Sequence, residues 1–129
     1  MLVASKIAKA KSLGELEDDA YLNHMTAKQI SKLLLAHLPF IKLKDGQYMI
    51  GTEKKTVMVR SNTLMIRVGG GYATLEEYLH QNAPFECIKI AMVMKDKKYT
   101  FKEAVKYYLT KHKAGDKVIK DYMKTSSSN

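Results

Sequence analysis

The chain is poor in the residues that staple or stiffen small proteins: it has one cysteine, Cys87, two prolines and no tryptophan. A lone cysteine excludes a disulfide framework and fits a reducing compartment such as the cytoplasm. No apolar run approaches the ~20 residues that a bilayer crossing needs, so no membrane-spanning segment is expected. The first residues lack a long apolar core, and secretion is not expected. Arginine is scarce as well. Only Arg60 and Arg67 stand beside twenty lysines. Lysine is a flexible point charge, whereas arginine supplies the planar fork that reads guanine edges or grips phosphate. The composition therefore favours diffuse attraction over base-specific readout.

What remains is enough for one domain with extensions. At 129 residues and 46% apolar content, the chain can build a core without disulfides or metal. Its formal charge of +9 is unevenly placed. Residues 89–129 carry 11 lysines against Asp96, Glu103, Asp116 and Asp121, which leaves a net +7 in the last third. Such asymmetry points to a polyanionic partner: nucleic acid, an anionic membrane or an acidic protein surface. The plain alternative is a solvated lysine-rich face.

Periodicity and turn residues predict an α+β fold: a small antiparallel β-meander with flanking short helices, an N-terminal arm and a basic helical C-terminal extension. Residues 1–25 read as the arm, 26–94 as the α+β domain, and 95–129 as the lysine-rich extension with a flexible tail. Thr26 with Gln29 forms a capping box, and Ile30, Leu33, Leu34, His37 and Leu38 follow on one helical face before Pro39. Four period-two runs come next, over residues 40–44, 47–50, 56–60 and 64–68. Asp45-Gly46, residues 51–55 and residues 61–63 are the connecting turns. Gly69, Gly70 and Gly71 end the fourth strand. Thr74 and Glu77 cap a short helix that Pro84 is expected to stop, and residues 88–94 read as a fifth strand. A charged turn at 95–98 leads to a third capping box, Thr100 with Glu103. Gly115 stands where a C-cap glycine would, and residues 116–124 form a last short helix with Val118, Ile119 and Tyr122 on its apolar side.

Chemistry-bearing residues are sparse. The glycine triplet lacks the Gly-Lys-Ser/Thr ending of a phosphate loop and the spacing of a dinucleotide fingerprint. It reads as a turn that needs positive φ and close packing under Tyr72. His24, His37, His80 and Cys87 lack the paired spacing of a zinc site, so no metal or other cofactor is expected. Cys87 lies among apolar neighbours and reads as a buried structural thiol. Glu76 and Glu77 are adjacent and diverge on a helix. No acid–base or nucleophile constellation assembles, and an enzyme is not expected. Tyr99, Phe101, Tyr107, Tyr108 and Tyr122 lie among lysines. They could stack bases, but at helical spacing they read as anchors against the sheet.

The stretch from Tyr48 to Leu79 resembles the growth-arrest-specific-protein-related (GAR) domain family. The resemblance rests on Tyr48-Met-Ile-Gly51, on Met65-Ile-Arg-Val-Gly-Gly-Gly-Tyr72 and on Leu75-Glu-Glu-Tyr-Leu79. Tyr72 stands where the family usually has tryptophan. The resemblance implies a non-enzymatic microtubule-binding module of the cytoskeleton. Some members of the family hold a structural zinc largely through cysteines; here Phe85 follows Pro84 where a ligand cysteine is common, and Cys87 comes two residues later. A free-standing module with a basic extension further suggests a dedicated microtubule-associated component, with the ciliary axoneme as its finer location.

Tubulin is strongly acidic, and a rigid sheet beside mobile lysines suits such a surface, with attraction that fades over a Debye length of ~8 Å at physiological salt. The residues expected to contact it are Lys54, Lys55, Arg60 and Arg67 from the domain. Lys95, Lys97, Lys98, Lys102, Lys106, Lys111 and Lys113 are added from the extension. Arg60 and Arg67 are expected to share a sheet face. Other microtubule-associated proteins are further expected partners, no membrane is, and a nucleic acid held by the basic last third is the alternative.

Overall fold

A computed structural model describes residues 24–125. The N-terminal arm expected over residues 1–25 lies almost wholly outside the described residues. The chain runs α1 (Ala27–Leu34), a 3-10 turn (Leu35–His37), β1 (Phe40–Lys44), β2 (Gln47–Ile50), β3 (Glu53–Arg60), β4 (Thr63–Val68), β5 (Gly71–Thr74), α2 (Leu75–Lys97), α3 (Phe101–Lys111) and α4 (Asp116–Thr125). The arrangement is α+β, with one five-stranded antiparallel sheet in sequential order and helices at both ends.

Two-residue turns make the meander. Asp45-Gly46, Gly51-Thr52, Ser61-Asn62 and Gly69-Gly70 each join a pair of adjacent strands. Ser61 and Asn62 both have positive φ, at 51° and 62°, as a type I′ turn requires. Short turns of this kind match the strands' own twist and fix the register. The second connection is tighter than the sequence suggests, because Glu53, Lys54 and Lys55 belong to β3 rather than to a loop.

All three capping boxes form. Thr26, Thr74 and Thr100 each accept the backbone N–H of the glutamine or glutamate three residues on, whose side chain returns to the threonine N–H. Each satisfies two orphan donors at a helix start.

The stretch from Thr74 onward departs from expectation. Pro84 does not stop the helix, residues 88–94 are not a strand, and the fifth strand is Gly71–Thr74. Helix α2 continues for 23 residues through Pro84 to Lys97. Packing decides this. Cys87, Ile90, Ala91 and Met94 recur at i, i+3, i+4 and i+7, and all four are buried. Burying that stripe outweighs the missing Pro84 N–H and the crowding of its ring against the preceding turn.

Two apolar clusters sit against the sheet. One gathers Ile30, Leu33 and Leu34 of α1, Met49 of β2, the buried stripe of α2, and Phe101, Ala104, Val105 and Leu109 of α3. The other joins Ile50, Val57 and Ile66 to Tyr78 of α2. Met49 and Ile50 are neighbours on β2, so they point to opposite faces, and each face is buried by a different cluster. The first cluster spans both sides of residue 94, and Val118, Ile119 and Tyr122 of α4 pack on it. Gly115 is not a C-cap. Helix α3 instead closes at Lys113, which has φ +58°, with Ala114 N–H bonded to the Leu109 carbonyl; the Gly115 carbonyl accepts from Ile119 and opens α4. No described helix is long and apolar enough to cross a membrane.

Candidate binding surface

The site is built from the outer face of β3, β4 and β5. Registry places Met58 opposite Met65, and Arg67 opposite Tyr72. By strand parity Arg60, Arg67 and Tyr72 share that face, while Val57, Ile66 and Ala73 point to the opposite one. The guanidinium carbons of Arg60 and Arg67 each lie 5.8 Å from the centroid of the Tyr72 ring, within cation–π range. Both arginines of the chain therefore converge on one exposed tyrosine. Met58 and Met65 lie half-buried on the same face.

The glycine triplet has a narrower role than its sequence suggests. Only Gly69 has positive φ, at +47°, as the first position of a type II′ turn demands. A Cβ built on Gly69, Gly70 or Gly71 would meet nothing within 4 Å, so no close packing under Tyr72 explains the triplet.

Lys54 and Lys55 lie on opposite faces of β3 by parity. Lys54 is exposed, whereas the Lys55 ammonium is 5.4 Å from the centroid of the buried Tyr78 ring. Lys95, Lys97 and Lys98 stand exposed at the end of α2, and Lys98 closes that helix with φ +58°. The Lys97 and Lys111 ammonium groups lie 5.3 Å and 5.8 Å from the Tyr107 ring centroid, and Tyr107 meets Tyr108 edge to face. Lys106 and Lys113 are exposed nearby. Lys102 is the exception among the expected contacts. It is only 8% exposed, and its ammonium donates to the Met123 carbonyl at the end of α4. The capped carbonyl holds that charge inside the fold and away from a partner. Phe101 is buried, and Tyr99, Tyr108 and Tyr122 pack on the helical cluster. These aromatics are anchors on a cluster that joins the helices to Met49 of the sheet.

Behind the sheet lies a polar network that sequence reasoning missed. Glu86 is buried, and its Oε1 accepts from the Thr52 N–H at 2.7 Å and from the Thr52 hydroxyl at 2.5 Å. Lys89 Nζ pairs with Glu86 at 2.9 Å and with Glu53 at 3.0 Å. The His112 ring nitrogen Nε2 meets the Thr52 carbonyl at 2.7 Å. This network ties the Gly51-Thr52 turn to α2 and α3. Gly51 is required there: its φ is +65°, and a Cβ would lie 2.7 Å from the Glu86 Cβ. Burial opposes the Lys89 charge, but its hydrogen bonds to Glu86 and Glu53 prevail and raise its pKa above 10.5. The Lys89 hydrogen bond pulls the Glu53 carboxyl below 4.5 against the effect of partial burial.

Burial, with the adjacent Glu86 charge, pushes the Cys87 thiol up to about 12, so it is a buried thiol rather than a thiolate nucleophile. Among the described residues no three His, Cys, Asp or Glu side chains cluster as a metal site would.

These features define a small basic α+β domain with an exposed, arginine-bearing stretch of sheet. The family model for the Growth-Arrest-Specific Protein 2 domain matches residues 22–87, and the chain belongs to that family. It is 40% identical over 55 residues to human GAS2-like protein 1, covering 41% of this chain and 8% of that protein. To Xenopus laevis GAS2-like protein 2B it is 28% identical over 93 residues, covering 70% of this chain and 10% of that one. Mouse GAS2-like protein 2 is 32% identical over 53 residues, covering 40% of this chain and 6% of that protein. The chain thus spans a tenth or less of the length of these curated relatives. No solved structure matches. The family match supports a cytoskeleton-associated role.

Proposed function

We propose that this chain is a non-enzymatic, microtubule-associated binding module that docks its GAR-like domain and lysine-rich extension on acidic tubulin. The observation that carries the reading is the family match over residues 22–87, coupled to a surface that gathers Arg60 and Arg67 with no carboxylate partner among the described residues. The sheet supplies a fixed shape. The exposed lysines at the end of α2 and along α3 supply longer-range attraction. Location on cytoplasmic microtubules, and more finely in the ciliary axoneme, belongs to the same proposal.

Cosedimentation with taxol-stabilised microtubules across a salt series tests it. Pelleting at low salt that weakens as salt rises is the expected result, and no pelleting at low salt overturns the reading. A parallel titration with duplex DNA tests the nucleic-acid alternative. Preference for DNA, with a steep log–log salt slope, would put the lysines on a phosphate backbone instead.

A further inference from the structure

The chain uses lysine almost everywhere, yet its two arginines meet at one ring. Arg60 lies on β3 and Arg67 on β4, and only the meander brings both guanidinium groups to 5.8 Å from the Tyr72 centroid. Two like charges drawn to one ring repel each other, and neither has a hydrogen bond or ion pair with any described side chain. On this face of β3, β4 and β5 strand parity places Lys54 as a third cation and no acidic residue. A guanidinium fork matches a carboxylate with two parallel hydrogen bonds, which an ammonium cannot do. The half-buried Met58 and Met65 add an apolar floor for aliphatic side-chain stems.

The adjoining turn leaves room. Gly70 has no positive φ and no neighbour within 4 Å of a built Cβ, so the fold itself does not require glycine there. A bare backbone beside the arginines admits the close approach of another main chain.

We propose that the face bearing Arg60, Arg67 and Tyr72 is the docking site for an extended, carboxylate-rich peptide segment whose backbone passes over Gly70. This rests on the microtubule reading and deepens it: the acidic partner is gripped at this face by an exposed flexible segment, and the lysines of the extension act only at longer range. Two arginines suit a pair of glutamate or aspartate side chains. A nucleic-acid backbone asks for a longer row of cations on one track.

A fluorescein-labelled glutamate-rich peptide, titrated with the full chain by anisotropy, is the direct probe. The double variant Arg60→Gln/Arg67→Gln should weaken binding about tenfold. The variant Lys28→Gln/Lys32→Gln removes the same charge from exposed positions on α1 and should leave affinity within about twofold of the unaltered chain. Gly70→Val should also weaken binding while leaving the thermal midpoint unchanged, a result that a purely structural glycine would not give. Equal losses in the two double variants would overturn the proposal, as would full affinity in either Arg60→Gln/Arg67→Gln or Gly70→Val. Microtubule pelleting of the same proteins separates the two levels. If the unaltered chain pellets and Arg60→Gln/Arg67→Gln pellets equally, the docking face is wrong and the microtubule reading stands. If the unaltered chain does not pellet, the microtubule reading fails, and the peptide titration decides the face by itself.

Discussion

Glu86 shows how one side chain can hold three elements in place. It sits on α2, accepts two hydrogen bonds from Thr52 in the β2–β3 turn, and pairs with Lys89, which reaches Glu53 on β3. The turn can approach that closely only because residue 51 has no side chain. Gly51→Ala should therefore destabilise the fold by about 3 kcal/mol, combining overpacking against Glu86 with a left-handed alanine. Urea unfolding measures this, and a loss within the noise would mean the turn sits further from α2. The same network sets a pH dependence. Glu53 has a folded pKa below 4.5, so its stabilisation is present above 4.5 and is lost as pH falls through the folded value. Lys89 has a folded pKa above 10.5, so its contribution is complete below 10.5 and is lost as pH rises through the folded value. Unfolding free energies of the wild type and Lys89→Met across pH should differ most between those limits and converge at both ends. A constant difference throughout would remove the ion pairs from the account.

At the scale of elements, the meander is legible in the sequence because turn dipeptides and period-two runs agree with each other. Asp45-Gly46 and the runs ending at Arg60 and Val68 fall where the structure has them. The three capping boxes mark three helix starts for the same local reason. Helix α2 is harder to read. Pro84 is a strong local breaker, and Ile88, Ile90 and Ala91 sit in an apolar run that mimics a buried strand, while the stripe from Cys87 to Met94 gains its meaning only against α1 and α3. The shared face of Arg60 and Arg67 follows from parity, but their meeting at Tyr72 needs β5, which the sequence conceals in a glycine run. The contact between His112 and Thr52 joins positions 60 apart and has no local signal. Helix ends add a further test. Lys98 and Lys113 occupy left-handed closing positions that favour glycine. Lys98→Gly should raise stability by about 1 kcal/mol in chemical denaturation, since it relieves the left-handed side chain. A loss instead would show that the lysine makes a compensating contact.

For the whole molecule, shape and charge are carried by different parts. Matched family residues end at 87, where the sheet and the first half of α2 are complete. The charge excess lies beyond, on the rest of α2, on α3 and on α4, packed on the same apolar cluster as α1. Because α4 packs through Val118 and Ile119, the last third presents its lysines from folded helices rather than from a loose strand of chain. A folded array keeps its lysine backbones at set positions relative to the sheet.

The most direct measurement is microtubule cosedimentation of a variant in which Arg60, Arg67, Lys97, Lys98, Lys106 and Lys111 are replaced by glutamine, with folding verified by circular dichroism and the thermal midpoint. The account predicts that this folded variant stays in the supernatant at salt where the unaltered chain pellets. Pelleting undiminished by the loss of those six charges would contradict it.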